Sequence, residues 1–350
     1  MGQQPASVFG VFGCFRFILA AMVVVTHAGP QQFGFLGEYA VLSFFILSGY
    51  VVSFILHNRY LALPRGELRY AVNRFLRIYP LYWAVLIISL VLLYCWPDAA
   101  RKIVNGIGIP QGAGLWVFNI AALGLFDPIM GKLLPIRVIP VIWTLEIEIL
   151  YWALMPKLLA SSKARCLMLA VAILYTAYAL AASVLYPPEV SAPIRYFSVL
   201  AACLPFYIGL QLFRRKLDNW LVIPTALGVA AIALFFILVF FSHLIFAAPG
   251  MYGTYAIMVA SGLVIAYLSQ ISDAPGWVAK LDVFLGDLSY PLYLVHIPVM
   301  YALITWAPVQ RYSWSMWLIT LLCATVASWL LHLCVQVPVN RLRGRIKQYS

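Results

Sequence analysis

Apolar stretches about twenty residues long recur from one end of the chain to the other, with very little charge inside them. A helix of about twenty apolar residues crosses the hydrocarbon core of a bilayer, so such runs read as transmembrane helices. They cover approximately 8–28, 36–57, 75–95, 137–155, 165–186, 194–213, 219–246, 251–270, 282–305 and 314–338. Composition agrees: 64% of the 350 residues are hydrophobic and 10% charged, far from the balance of a water-soluble globule. Disordered chains, disulfide scaffolds and fibrous repeats are excluded on the same numbers. The 11 Trp and 21 Tyr suit a protein with two membrane–water interfaces to anchor. The expected fold is an all-α integral membrane protein of about ten transmembrane helices around a polar central pore. Residues 112–126 are too short to span and read as an interfacial or re-entrant helix inside a long loop. With no repeat period, the simplest organisation is one transmembrane domain over 1–340 and a basic cytoplasmic tail over 341–350, with no fused soluble domain.

The formal charge of +12 would point to nucleic acid in a soluble protein. Here the basic residues sit between the apolar runs, as cytoplasmic loops carry them, and nucleic acid is not an expected partner. Sixteen of the 23 fall on one side, chiefly in 58–77, 156–165, 213–218 and the tail. Six fall on the other (Arg101, Lys102, Lys132, Arg137, Arg195 and Arg311), and Arg16 lies inside the first span. Both termini are therefore expected in the cytoplasm, in a multi-pass protein of the inner (plasma) membrane. The six cysteines show no CxxC and no metal-ligand spacing; they read as small apolar packing residues, and no metal is expected.

An ionisable residue inside a span costs a few kcal/mol and is a functional-site hypothesis by default. The first span holds Arg16 and ends at His27, eleven residues later. At 100° per residue the two side chains point the same way, roughly 16 Å apart along the axis. The fourth span carries Glu146 and Glu148, which lie about 200° apart and cannot share a face. A carboxylate beside His27 would orient the imidazole; the same carboxylate beside Arg16 would be a structural ion pair. Arg74 and Arg77, one turn apart, suit either phosphate recognition or ordinary anchoring at the cytoplasmic boundary. Ser48, Gly49 and Tyr50 lie within the second span, where small residues permit close helix approach. Ser48 lacks the GxSxG surroundings of a nucleophile. In the ninth span Ser289, Tyr290, Pro291, Tyr293 and His296 come together, and Tyr and His can line a cavity. His57, His243 and His332 fall near span ends and are expected to face headgroups.

These motifs, in this order, resemble the membrane-bound acyltransferase-3 family, O-acyltransferases of carbohydrates and related acceptors. The resemblance rests on the Arg16–His27 pair, FFILSGY at 44–50, RFLRIYPLYW at 74–83, WTLEIEILYWALMP at 143–156 and LSYPLYLVHIPV at 288–299. It implies acyl-CoA, usually acetyl-CoA, as a donor bound from the cytoplasm, and a sugar or glycan hydroxyl as acceptor. The family's glutamate falls on Glu148, with Glu146 in a small-residue position and Thr144 in place of serine. Its R-x-x-R falls on Arg74 and Arg77, favouring the phosphate role. The expected catalytic set is then His27 as general base or acyl relay, Glu148 as its orienting carboxylate and Arg16 stabilising the oxyanion. Arg74, Arg77, Ser48, Tyr50, Tyr293 and His296 would contact the donor. The rival class is a transporter or flippase of a polar solute using buried Arg, Glu and His, though no matching halves or paired broken helices favour it. A non-catalytic scaffold would leave Arg16, Glu146 and Glu148 without a reason to be buried.

Overall fold

The structure is a computed structural model that describes residues 11–97, 106–246, 248–271, 274–306 and 310–348. Residues 8–10 of the first predicted span, Arg101 and Lys102 of an outer loop, and 349–350 of the tail lie outside the described residues. The elements run α1 (Phe12–Ala28), α2 (Leu36–Arg59), α3 (Gly66–Cys95) and α4 (Ala113–Ile120), then β1 (Leu125–Asp127) and β2 (Lys132–Leu133). They continue with α5 (Ile142–Ala160), α6 (Ser162–Leu185), α7 (Pro188–Tyr196), α8 (Cys203–Leu217) and α9 (Thr225–Ile245). The last are α10 (Thr254–Leu268), α11 (Gly276–Trp306), α12 (Trp314–Leu331), a π-helical turn (His332–Gln336) and α13 (Val337–Gln348). Apart from the short β1–β2 hairpin the architecture is all-α.

Seven helical segments among the described residues are long and apolar enough to cross a membrane: those built on α2, α3, α6, α9, α10, α11 and α12. Helix α1 is apolar but only 17 residues long, and α5 carries Glu146 and Glu148 near its start. The predicted span 194–213 is two helices rather than one, because α7 stops at Tyr196 and α8 starts at Cys203. The Ser198 hydroxyl takes the Leu200 N–H inside this break. Pro205, which has no N–H to give, sits in the first turn of α8, where none is needed.

Helix α1 lies at the centre, packed against α2, α11 and α12, and α2 packs in turn on α5, α8 and α10. Two crossings are close enough to require glycine. A Cβ on Gly209 of α8 would overlap the Ile46 carbonyl of α2, and one on Gly49 would press on the Phe206 carbonyl. Likewise a Cβ on Gly13 would overlap the Asp282 carbonyl of α11. Small residues let backbones approach, which is how membrane helices gain packing contacts without a hydrophobic driving force. Gly209→Leu should therefore destabilise the fold by about 1–3 kcal/mol or more through overpacking against backbone. Gly114→Ala, where no atom lies within 4 Å of the new Cβ, should not. Thermal unfolding of both in detergent checks this; equal melting temperatures would sink the close-packing account.

The loop after α4 folds back against the bundle. Tyr79 and Trp83 of α3 donate to the Ala121 and Ile120 carbonyls, each at 3.0 Å, and Tyr82 donates to the Asn119 carbonyl. The aromatic half of RFLRIYPLYW thus closes carbonyls at the end of a short helix, groups that have no partner within that helix. Asn119 is buried and accepts from Val138 N–H at 2.9 Å, tying the far side of the loop down.

The cysteines divide. Cys203 is buried and takes the Tyr151 hydroxyl at 2.8 Å, and Cys14 is half-buried. Cys95, Cys166, Cys323 and Cys334 are exposed on the outer surface, so most of the six are not packing residues as expected.

Candidate active site

Helices α1, α2, α3, α5 and α11 enclose a cavity of about 860 Å³, counted out to its open mouth. Three arginines enter it: Arg16 from α1, and Arg74 and Arg77 from α3. Glu148 enters from α5 and interacts electrostatically with all three, while accepting a hydrogen bond from the Ser48 hydroxyl of α2. Ser48 in turn accepts from Trp152 Nε1 at 2.8 Å. Arg74 lies over two rings, its guanidinium 4.7 Å from the Trp152 centroid and 5.3 Å from that of Tyr70. Cation–π contacts hold a guanidinium without consuming its hydrogen-bond donors. Arg74 Nη2 and Arg16 Nε are buried with no hydrogen-bond partner. Donors left unpaired beside a cavity are binding capacity for an anion.

The choice between the two glutamates is made by the loop after α4. Glu146 Oε2 accepts from Gly124 N–H at 2.6 Å and Leu125 N–H at 2.7 Å, so it anchors that loop. Glu148, on the opposite face of α5, is the carboxylate in the cavity. Thr144 and Trp152 lie four residues either side of Glu148 and share its face.

Tyr293 of α11 lines the cavity on the side towards His27, and its hydroxyl shares a 2.8 Å hydrogen bond with Thr144. One turn along α11, His296 is fully buried and stacks on His27, with ring centroids 5.3 Å apart and planes at 29°. His296 Nδ1 lies 2.8 Å from the Tyr293 carbonyl, to which it donates, and Nε2 is left with no partner. The Arg311 guanidinium is within electrostatic reach of His27.

Five sequence expectations change with this geometry. Glu148 does not orient His27; among the described residues no hydrogen bond or charge interaction joins them, and Glu148 is engaged by the arginines instead. Arg16 shares a helix face with His27, but three turns of helix separate them, so it cannot stabilise an oxyanion formed at His27. Tyr50 is not at the cavity: two residues from Ser48, it points the other way and packs on Phe12 and Phe213. His296 lies beside His27 and away from the arginines. His243, expected at headgroups, packs against the Phe33 ring.

Sequence reasoning missed the ring contacts of Tyr70 and Trp152, although Trp152 at four residues from Glu148 was a readable signal. It also missed a buried ion pair across the bundle, in which Arg195 Nε donates to Glu38 Oε1 at 2.8 Å. Glu38 and Arg195 are 157 positions apart in the sequence, which carries no local sign of their pairing.

An all-α bundle with apolar helices of membrane-crossing length, holding an arginine-lined cavity with one carboxylate, has the architecture of a multi-pass membrane protein. A family model described as an acyltransferase domain matches residues 12–333, nearly the whole chain. The chain belongs to the acyltransferase-3 family and is a multi-pass membrane acyltransferase. No curated protein and no solved structure matches it.

Proposed function

We propose that this protein transfers an acyl group, most simply acetyl, from cytoplasmic acyl-CoA to a hydroxyl of a sugar or glycan acceptor. Ten helices form the membrane domain in this reading, with both termini in the cytoplasm of a cell bounded by an inner (plasma) membrane. One observation carries it: Arg16 and His27 stand at two ends of one face of α1, roughly 16 Å apart. The first is in an anion site open at its mouth and the second beside a buried histidine. A donor with phosphates at one end of a long arm and a thioester at the other fits that separation. The phosphates would rest on Arg74, Arg77 and Arg16, and the arm would pass Tyr293.

At the far end, His27 takes the proton of the acceptor hydroxyl as that oxygen attacks the thioester carbonyl. Collapse of the tetrahedral intermediate breaks the carbon–sulfur bond, and the imidazolium returns the proton to the departing CoA thiolate. Transfer by way of an acyl-imidazole on His27 uses the same groups in two steps. Glu148 keeps the three arginines from repelling one another when the site is empty, in place of the orienting role first assigned to it.

The test is binding and turnover of acetyl-CoA by the purified protein in detergent, with succinyl-CoA and free CoA alongside. Saturable binding and acyl release are expected. Absence of CoA binding by folded protein would remove the donor, and solute transport in vesicles would become the measurement to make.

A further inference from the structure

The last described helix, α13, begins after the family match ends at residue 333, and its second half falls in the stretch over 341–350 that the sequence makes a basic cytoplasmic tail. In the structure it returns to the bundle. A π-helical turn over His332–Gln336 precedes it, closed by His332 Nδ1 against Gln336 Oε1 at 2.9 Å. Such turns are rare and concentrate at functional sites. Arg343 then reaches α3, donating from Nη2 to Asn73 Oδ1 at 2.7 Å and from Nη1 to Asn340 Oδ1 at 2.6 Å. Its Nε is buried with no partner.

This places a fourth guanidinium among the three already described. Arg343 is close enough to Arg74 and Arg77 for each to feel its charge. Between α3, α11 and α13 lies a second, open cavity, about 610 Å³ when counted out to its mouth, whose polar lining includes Arg16, Arg77, Asp287, Asn340 and Arg343. Arg16, Arg77 and Tyr290 also line the first cavity, so the two meet at those side chains. Like charges are gathered at the cost of mutual repulsion. The carboxylates in electrostatic reach are Glu148, Asp282 and Asp287. Asp282 is partly committed to the backbone N–H of Cys14, at 2.8 Å, and Asp287 is exposed. Three arginines, Arg16, Arg77 and Arg343, line this polar space, two of them with a buried unpaired donor, and Arg74 stands in the adjoining cavity; together they match a ligand with more than one phosphate.

We propose that the cavity under α13 receives the phosphorylated nucleotide end of the donor, and that Arg343 is a specificity-determining contact to one of its phosphates. This rests on the acyl-CoA reading above. Asn73 and Asn340 spread the guanidinium and leave Nε for the ligand, so α13 acts as a strap completing the donor site from outside the family domain.

Adenosine 3′,5′-bisphosphate isolates the nucleotide end, and S-acetylpantetheine is a donor without phosphates. In Arg343→Gln, affinity for CoA and for the bisphosphate should fall about tenfold to a hundredfold, the range of one hydrogen bond to a charged group. Turnover of S-acetylpantetheine should stay at the wild-type level, which also shows that the variant folds. Arg343→Lys, which keeps the charge, should recover part of the loss. Equal effects on CoA and S-acetylpantetheine, or no effect on either, would overturn the proposal. So would loss of a preference for phosphatidylglycerol vesicles with nucleotide binding intact, since the ligand would then be a lipid headgroup. Bisphosphate binding that depends on Arg343, in a protein that transfers nothing from acyl-CoA, would uphold this site and refute the proposed function. Acyl transfer unaffected by Arg343→Gln would do the reverse.

Discussion

His27→Ala should reduce acyl transfer by about 10²–10⁴-fold, the contribution of a positioned general base, while leaving acyl-CoA binding close to wild type. The separation of the two effects follows from the length of α1. The arginines that would hold the donor lie three helical turns from His27, so truncating the imidazole does not touch them. His27 is the last basic group on α1 and is packed against His296, whose Nδ1 is committed to the Tyr293 carbonyl. Removing the His27 ring takes away the partner of that stack and leaves a void beside a buried imidazole, a defect local to the far end of the bundle. Rates of transfer to a hydroxyl acceptor and CoA affinity, measured on one preparation, give both numbers. Transfer near the wild-type rate would show that another group removes the proton. A parallel loss of binding and turnover would place the donor against His27 and contradict the two-ended site.

What the sequence revealed, and what it withheld, follows the range of the interactions involved. Helix phase is local, so the common face of Arg16 and His27 and the opposed faces of Glu146 and Glu148 were readable from spacing. Which glutamate faces the cavity was not, because it depends on Gly124 and Leu125 presenting their N–H groups to Glu146 from a folded loop. The need for glycine at 49 was legible as a small-residue site, whereas its counterpart Gly209 is visible only once α2 and α8 cross. The hairpin β1–β2 carried a local signal that went unused: in LFDPIMGKL, Asp127 accepts from Ile129 and Met130 N–H, and Gly131 takes a positive φ. The contact of the tail was out of reach of local reading. Its basic residues fit a cytoplasmic tail, and the pairing of Arg343 with Asn73 spans 270 positions. Likewise hydropathy found seven membrane-length segments readily, but a run such as 194–213 conceals a break set by Ser198 and Pro205.

Arg74→Ala/Arg77→Ala should weaken acyl-CoA binding by at least about a hundredfold. Each lost hydrogen bond to a charged phosphate is worth about 1.5–3 kcal/mol, and every 1.4 kcal/mol is tenfold in affinity. The wild-type affinity should fall with added salt, and the double variant should have lost most of that dependence. Arg74 is the more demanding of the two. Its guanidinium lies over Tyr70 and Trp152, so its orientation is set before a ligand arrives, and less ordering entropy is spent on binding. For the same reason Arg74→Lys should recover little, since an ammonium neither stacks as a plane nor presents a fork. A folding defect is the complication to remove, because both substitutions strip countercharge from Glu148, which interacts electrostatically with both arginines. Adding Glu148→Gln relieves that carboxylate and keeps its hydrogen-bonding shape towards Ser48. The triple variant should therefore regain the melting temperature that the double variant loses, and still fail to bind acyl-CoA. A stable triple variant that binds the donor as wild type does would mean that these arginines serve the fold alone, and the phosphate end of the donor would have to be sought elsewhere.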